Sequence, residues 1–280
     1  MSQDDPALIS AIQVDYIKEP DITQDYNFTL PVADLLEAAG GYDLPVDVDQ
    51  LVFKGQLRNG FFIEAGAGGG DDTTCNTHNH HHNLSGEDDS NSLYFELKYN
   101  WTGLLIEPLS YDLQFKHRKS LTSSACLALE PRPHFADFNY LATVSDSQNE
   151  PVSMTGIVKE EGETTIKMQC MPLYSLILAA GNPTVNYFIL DIEGAELQVL
   201  KTLPWDKVDI EVVSVETDLA GMVMEGSREE IIDLMISVGY THADHSSSWS
   251  HVNNVPKDDM FIRNDIAARL GLSNRNKQEL

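Results

Sequence analysis

Three apolar runs in this chain each stop on a carboxylate, and these acids are the residues best suited to chemistry. Asn186-Tyr187-Phe188-Ile189-Leu190 is followed at once by Asp191-Ile192-Glu193-Gly194-Ala195-Glu196. Phe61-Phe62-Ile63 leads into Glu64-Ala65-Gly66-Ala67, and Gly103-Leu104-Leu105-Ile106 leads into Glu107-Pro108. A short β-branched and aromatic run that ends on an acid reads as a buried strand emptying into a turn. In open α/β sheets, ligands sit just beyond such carboxyl ends. An ionised carboxylate accepts hydrogen bonds without donating any, so it suits the paired hydroxyls of a ribose. It also favours a cationic ligand and can take a proton from an acceptor hydroxyl. Neighbouring carboxylates raise one another's pKa, which brings such a base toward neutrality. Asp191 and Glu193 are the expected base candidates, and Glu216, at the end of Ile210–Glu216, is a further one on the acceptor side. Glu193 and Glu196 also admit a capping role, because acids favour the amino terminus of the helix that follows.

The turn after Glu64 is rich in glycine. Gly66 lets the backbone approach a ligand closely, but glycines at 66, 68, 69 and 70, with Asp71 next, do not meet the G-x-G-x-x-G fingerprint. Glu107 lies about 40 residues beyond Glu64, and about 20 if the Gly68–Ser85 stretch is discounted. That is the spacing of the acid that binds ribose hydroxyls in nucleotide-type α/β folds, and such an acid repels a 2′-phosphate.

The elements that must position these acids alternate. Expected strands are Phe61–Ala65, Gly103–Glu107, Ser123–Leu129, Tyr187–Asp191, Ile210–Glu216, Tyr240–Asp244 and Met260–Arg263. Expected helices are Ser92–Tyr99, Tyr111–Lys119, Leu173–Ala180, Leu197–Leu203 and Arg228–Val238, with helical spacing also at Pro6–Ile12 and Pro31–Leu36. Val152–Ile157 and Thr164–Cys170 read as an antiparallel pair around Glu160-Glu161-Gly162-Glu163. The alternation predicts an α/β fold with a mostly parallel, doubly wound sheet and an inserted antiparallel hairpin. Residues 1–58 read as a helical and irregular lead-in, 59–265 as the main domain with a mobile inserted loop at 68–85, and 266–280 as a tail.

The 280 residues include 18 Lys and Arg against 44 Asp and Glu, a formal charge of −26. That balance disfavours nucleic acid and anionic membranes, which need positive charge on the protein. No run reaches the roughly 20 apolar residues of a membrane span, and Met1–Pro6 lacks the pattern of a secretory signal. Three cysteines, Cys75, Cys126 and Cys170, cannot form a dense disulfide framework, and their odd number favours a reducing compartment. The chain as given reads as cytoplasmic, with an endomembrane lumen open to it if an anchor precedes Met1. Cys75, His78, His80, His81 and His82 offer zinc or copper ligands, but adjacent histidines on a loop lack a rigid scaffold, so no metal is expected. His242, His245 and His251 flank a loop expected to be solvated.

The Phe61–Ala67 block, Ser90-Asn91-Ser92-Leu93-Tyr94-Phe95-Glu96, Trp101–Pro108 and Leu190–Glu196 occur in an order that resembles the FkbM-type methyltransferase family. With the Gln3-Asp4-Asp5-Pro6 opening, they resemble its animal, Star-like branch. The resemblance implies a seven-stranded, Rossmann-like fold dependent on S-adenosylmethionine. It implies that Glu64, Gly66 and Ala67, with Ser90, Asn91 and Ser92 nearby, line the methionine end. Glu107, backed by Pro108, would hold the ribose, Cys126 and Leu127 would lie by the adenine, and Asp191 and Glu193 would face the reacting methyl. The implied activity is O-methylation of a small hydroxyl-bearing molecule or a glycan- or lipid-linked group. The alternative is a non-catalytic trafficking or binding protein on the same fold. The 68–85 insertion departs from the family and interrupts the cofactor loop.

Overall fold

The computed structural model describes residues 1–21, 23, 43–67, 90–108, 115, 118–145, 151–157, 165–243 and 257–273. The chain enters through α1 (Pro6–Asp15) and the short β1 (Ile17–Lys18). Asp5 caps α1 by accepting from Ala7 N at 2.8 Å, and Pro6 follows at the first helical position, where its missing N–H costs nothing. After α2 (Asp43–Val48) and a π-helical turn at Asp49–Phe53 come β2 (Phe61–Ala65), α3 (Leu93–Tyr99), β3 (Thr102–Ile106) and β4 (Leu121–Ser123). A second group of strands follows: β5 (Cys126–Leu127), β6 (His134–Ser145), β7 (Pro151–Ile157) and β8 (Thr165–Met171). The chain then runs through α4 (Leu173–Ala179), β9 (Val185–Leu190), α5 (Glu196–Thr202), β10 (Ile210–Glu216), α6 (Arg228–Ser237), β11 (Tyr240–Ala243), β12 (Asp258–Arg263) and α7 (Asn264–Leu270).

The main sheet has the order β1-β4-β3-β2-β9-β10-β12-β11. The block from β4 to β10 is parallel throughout, whereas β12 runs antiparallel to both β10 and β11. The sheet has eight strands rather than the expected seven, because β1 adds itself antiparallel to β4. Two residues from a polar lead-in carry no apolar periodicity, so nothing in the sequence marks them as a strand.

Alternating side chains of the strands feed two apolar layers. On one face Ile63, Leu104, Phe188 and Val213 pack with Leu8 and Ile12 of α1, Leu176 of α4, Leu200 of α5 and Ile231 of α6. On the other, Phe62, Leu105, Tyr187 and Ile262 pack with Val48, Phe95, Trp101 and Ile266. Burying a side chain such as Phe62 or Phe188 contributes about 1.5–3 kcal/mol, so helices on both faces secure the sheet. The lead-in and the start of the expected tail belong to these layers, through Leu8 and Ile12 at one end and Ile266 and Ala267 at the other. Gln3 ties the lead-in down further, donating to the Thr202 carbonyl at 3.3 Å while its own carbonyl accepts from Ser175 Oγ at 2.6 Å.

The inserted β-structure is a four-stranded sheet, β5-β8-β6-β7, rather than a hairpin. β7 and β8 do not pair with each other; both pair antiparallel with the long β6, which lies between them. The expected strand Ser123–Leu129 is divided, with β4 ending at Ser123 in the main sheet and β5 opening the second. Cys126 and Cys170 stand opposite each other in the β5–β8 ladder and form a disulfide. Disulfides persist in oxidising surroundings, so this pairing runs against the reducing compartment expected from the cysteine count. The expected Pro31–Leu36 helix, the loop at 68–85 and most of the Tyr111–Lys119 helix lie outside the described residues.

Candidate active site at the carboxyl rim of the sheet

Because β3, β2, β9 and β10 are parallel neighbours, their carboxyl ends share one rim, and Glu107, Asp191 and Glu216 lie along it. Backbone hydrogen bonds join these ends. Gly66 N and Ala67 N both donate to the Ile106 carbonyl, at 3.0 and 3.2 Å, and Asp191 N donates to the Ala65 carbonyl at 3.0 Å. Gly66 has φ +82°, and a Cβ there would lie 1.6 Å from the Asp191 carbonyl oxygen. Only glycine lets the two strand ends pass this closely.

Glu64, inside β2, is buried and fully engaged by its own chain. It accepts from Ser90 Oγ at 2.9 Å, Asn91 N at 2.9 Å, Ser92 N at 3.3 Å and Ser92 Oγ. The two serine hydroxyls in turn accept from the buried Arg118, through Nη1 to Ser90 at 2.9 Å and Nη2 to Ser92 at 2.8 Å. Arg118 Nε donates to Glu96 at 3.2 Å, and Glu96 also accepts from Lys119 N at 2.6 Å and Ser120 Oγ at 2.8 Å. Burial pushes the Glu64 pKa up, opposed by Arg118 and by the hydrogen bonds. The polar atoms that Ser90 and Ser92 offer are therefore spent on holding the 90–92 turn against the end of β2.

The turn after β9 is built differently. Glu193 and Gly194 take consecutive left-handed conformations, φ +63° and +99°, the first of which costs a side-chain-bearing residue of order 1 kcal/mol. Glu196 stabilises the turn by accepting from Ile192 N at 2.9 Å and Gly194 N at 3.1 Å. Of the two acids read as caps, Glu196 is the one that holds the helix entrance.

Lys257 and Asp258 reach the same rim from the other side of β10. Since β12 is antiparallel to β10, its amino end lies beside the carboxyl end of β10, and Asp258 stands opposite Glu216 in the ladder. Lys257 Nζ is 3.7 Å from Asp191 Oδ2 and 3.6 Å from Glu216 Oε1. Burial first, then the charge of Asp191, pushes Glu193 up to about 7 and Asp258 up to about 7. The same two causes raise Glu216 well above the carboxylate range. Asp191, and after it Glu216, raises the pKa of Lys257 against the effect of burial, so it stays protonated.

Beside this cluster, Asp259 takes the opposite course. Burial acts to raise it, but it accepts from Thr217 Oγ1 at 2.6 Å and from Arg228 at 2.7 Å on each oxygen, and lies 2.6 Å from His242 Nε2, which together hold it below the usual range. His242 lies on strand β11, within the expected Tyr240–Asp244 strand, and its ring packs against Phe261; His245 and His251 lie outside the described residues.

The structure brings Gly66, Ala67, Glu107, Asp191, Glu193 and Glu216 to one rim, and turns Glu64, Ser90 and Ser92 toward each other. Cys126 and Leu127 are buried in the second sheet, with the Cys126 sulfur bonded to Cys170. Sequence reasoning missed Arg118, Lys257 and Asp258. The Lys257-Asp258-Asp259 triplet was visible, but only the antiparallel sense of β12 places it beside Glu216. The family profile described as the methyltransferase FkbM domain matches residues 75–241, more than half of the chain. That span contains Glu107, Asp191, Glu193 and Glu216. No curated protein and no solved structure matches the chain.

Proposed function

We propose that this chain, which belongs to the methyltransferase FkbM domain family, moves a methyl group from S-adenosylmethionine to the hydroxyl of a small or glycan- or lipid-linked acceptor. The observation that carries the reading is the line of carboxylates Glu107, Asp191, Glu193 and Glu216 along adjacent strand ends. The donor set fits the cofactor's chemistry. Glu107, with Pro108 behind it, suits a ribose diol because it is acceptor-only, Gly66 and Ala67 draw the strand ends together so that Glu107 and Asp191 stand at one rim, and the acids suit positive charge. When bound, the cofactor supplies an electrophilic methyl on a positively charged sulfur.

The chain's own residues then orient the acceptor and remove its proton. Asp191 or Glu193 would take the proton from the acceptor hydroxyl, whose oxygen would receive the methyl that the cofactor supplies. Such a transfer depends chiefly on alignment and exclusion of competing nucleophiles, with the positioned base adding about 10²–10⁴-fold. The Gln3–Pro6 opening and the Ser90–Glu96 block support placement in the animal, Star-like branch of the family.

Calorimetric titration with S-adenosylmethionine and with S-adenosylhomocysteine tests this reading. Binding of both with micromolar Kd is expected. No heat from either at about 1 mM, a Kd too weak for cellular use, overturns it and leaves the non-catalytic trafficking or binding protein.

A further inference from the structure

We propose that the acceptor carries a cationic group, an ammonium in the simplest case, which docks among Asp191, Glu216 and Asp258 where the Lys257 ammonium now lies. The inference rests on the methyltransferase reading for the word acceptor, but the cation subsite stands on its own geometry. Asp191, Glu193, Glu216, Asp218 and Asp258 act on one another electrostatically, and among the described residues Lys257 is the cation whose charge opposes them at Glu193 and Asp258.

Two observations show that this one cation does not satisfy the site. First, Glu216 is only 4% exposed, yet its Oε2 accepts no hydrogen bond from the described residues. The neighbouring Asp191 carboxylate has no donor of its own, so the contact between the two acids is bridged only by a proton that Glu216 carries, at a place where a ligand donor could substitute for it. A buried carboxylate oxygen without a donor is costly, and such atoms are kept where something else supplies the donor. Second, Lys257 sits at 3.6 and 3.7 Å from its two acids, beyond the 2.7–2.9 Å of a charge-assisted hydrogen bond. Its side chain is 44% exposed. A long, flexible side chain held at ion-pair distance can yield its place to a second cation that takes over the same acids.

A ligand ammonium entering there brings three donors to oxygens that Lys257 reaches only loosely. It would also set a nearby hydroxyl beside Asp191, the proposed base. The formal charge of −26 adds long-range attraction for a cationic acceptor and none for a neutral one.

The test uses the full chain and two matched probes, ethanolamine and ethylene glycol, titrated calorimetrically and by NMR line shifts in the presence of S-adenosylhomocysteine. Ethanolamine is expected to bind at least about tenfold tighter than the diol, and Glu216→Gln to remove about that factor. Lys257→Met is the sharper variant. Removing a competing internal cation should tighten ethanolamine binding several-fold, whereas a lysine that serves the ligand would weaken it on removal. Lys257→Gln, with thermal melts of both variants, separates a folding defect from a binding effect. Equal affinity for the two probes, or weaker ethanolamine binding in both lysine variants, overturns the proposal. S-adenosylhomocysteine binding without ammonium selectivity sinks this inference alone; ammonium selectivity without nucleoside binding sinks the methyltransferase reading and leaves the cation subsite standing.

Discussion

Two groups of buried acids lie at the same end of the sheet, and the chain treats them in opposite ways. Around Glu64 and Glu96, donors match acceptors: Arg118, four hydroxyl and backbone donors on Glu64, and two further donors on Glu96 leave a closed network. Around Asp191, Glu193, Glu216 and Asp258 the acids outnumber the cations facing them among the described residues, and the charge of Asp191 adds to burial in raising Glu193, Glu216 and Asp258, whereas at Glu64 the charge of Arg118 opposes burial. A satisfied network fixes a position and has nothing left for a ligand. An unsatisfied one stores interaction that a ligand can complete. The difference separates residues that shape the site from residues that act in it, although all are acids gathered at one end of the sheet.

The largest effect should come from breaking the closed group. Arg118→Met strands Glu64 and Glu96 as buried charges, so urea denaturation should show a loss of about 3–5 kcal/mol; a loss below about 1 kcal/mol would mean the network is not cooperative. The open group should respond in activity rather than stability. Asp191→Asn relieves repulsion among the acids, so its melting temperature should hold or rise, while methyl transfer from labelled S-adenosylmethionine falls by about 10² or more. If instead the protein unfolds, the contrast between the groups collapses.

A smaller effect belongs to Glu107→Gln, which keeps one acceptor oxygen for the ribose. S-adenosylhomocysteine should bind about tenfold more weakly by calorimetry, equivalent to 1.4 kcal/mol. The smallest is a pH effect. Glu193 and Asp258 carry folded-state values of about 7, above the roughly 4 of an unfolded carboxyl. The folded protein therefore binds more protons between these limits, and its stability falls as pH rises through 7. Asp259, held below its ordinary value, acts in the opposite sense but only at pH below about 4. The melting temperature should be roughly 4 °C higher at pH 5.5 than at pH 8, and Glu193→Gln should flatten that slope.

Much of this architecture was legible in the sequence because it is periodic. The runs Phe61–Ala65, Val185–Leu190 and Ile210–Glu216 are buried on both faces, so they read as continuous apolar strands, and each ends within a residue of its expected bound. β1 and β5, at two residues each, are too short to show any period. The pairing of β7 and β8 misled because sequence neighbours usually pair, and β6 begins His134-Phe135-Ala136-Asp137, where two adjacent apolar residues between polar ones show no strand alternation. Within the site, acids on the parallel strands could be placed by the rule of carboxyl ends. Lys257 and Asp258 could not, since their position depends on the direction of β12. Arg118 could not either, because its partners are 22 to 28 residues away and hydrogen-bond complementarity leaves no trace in spacing.

β1 has a consequence for handling the protein. Its two residues cover the outer edge of β4, whose free N–H and C=O groups would otherwise stand ready to pair with a neighbouring molecule. Material trimmed to begin after Lys18 would keep every acid of the rim yet lose this cover and the α1 side chains beneath it. Such a preparation should oligomerise edge to edge on concentration, visible as growth in light scattering, and a shortened expression version intended for biochemistry is better begun upstream of Gln3.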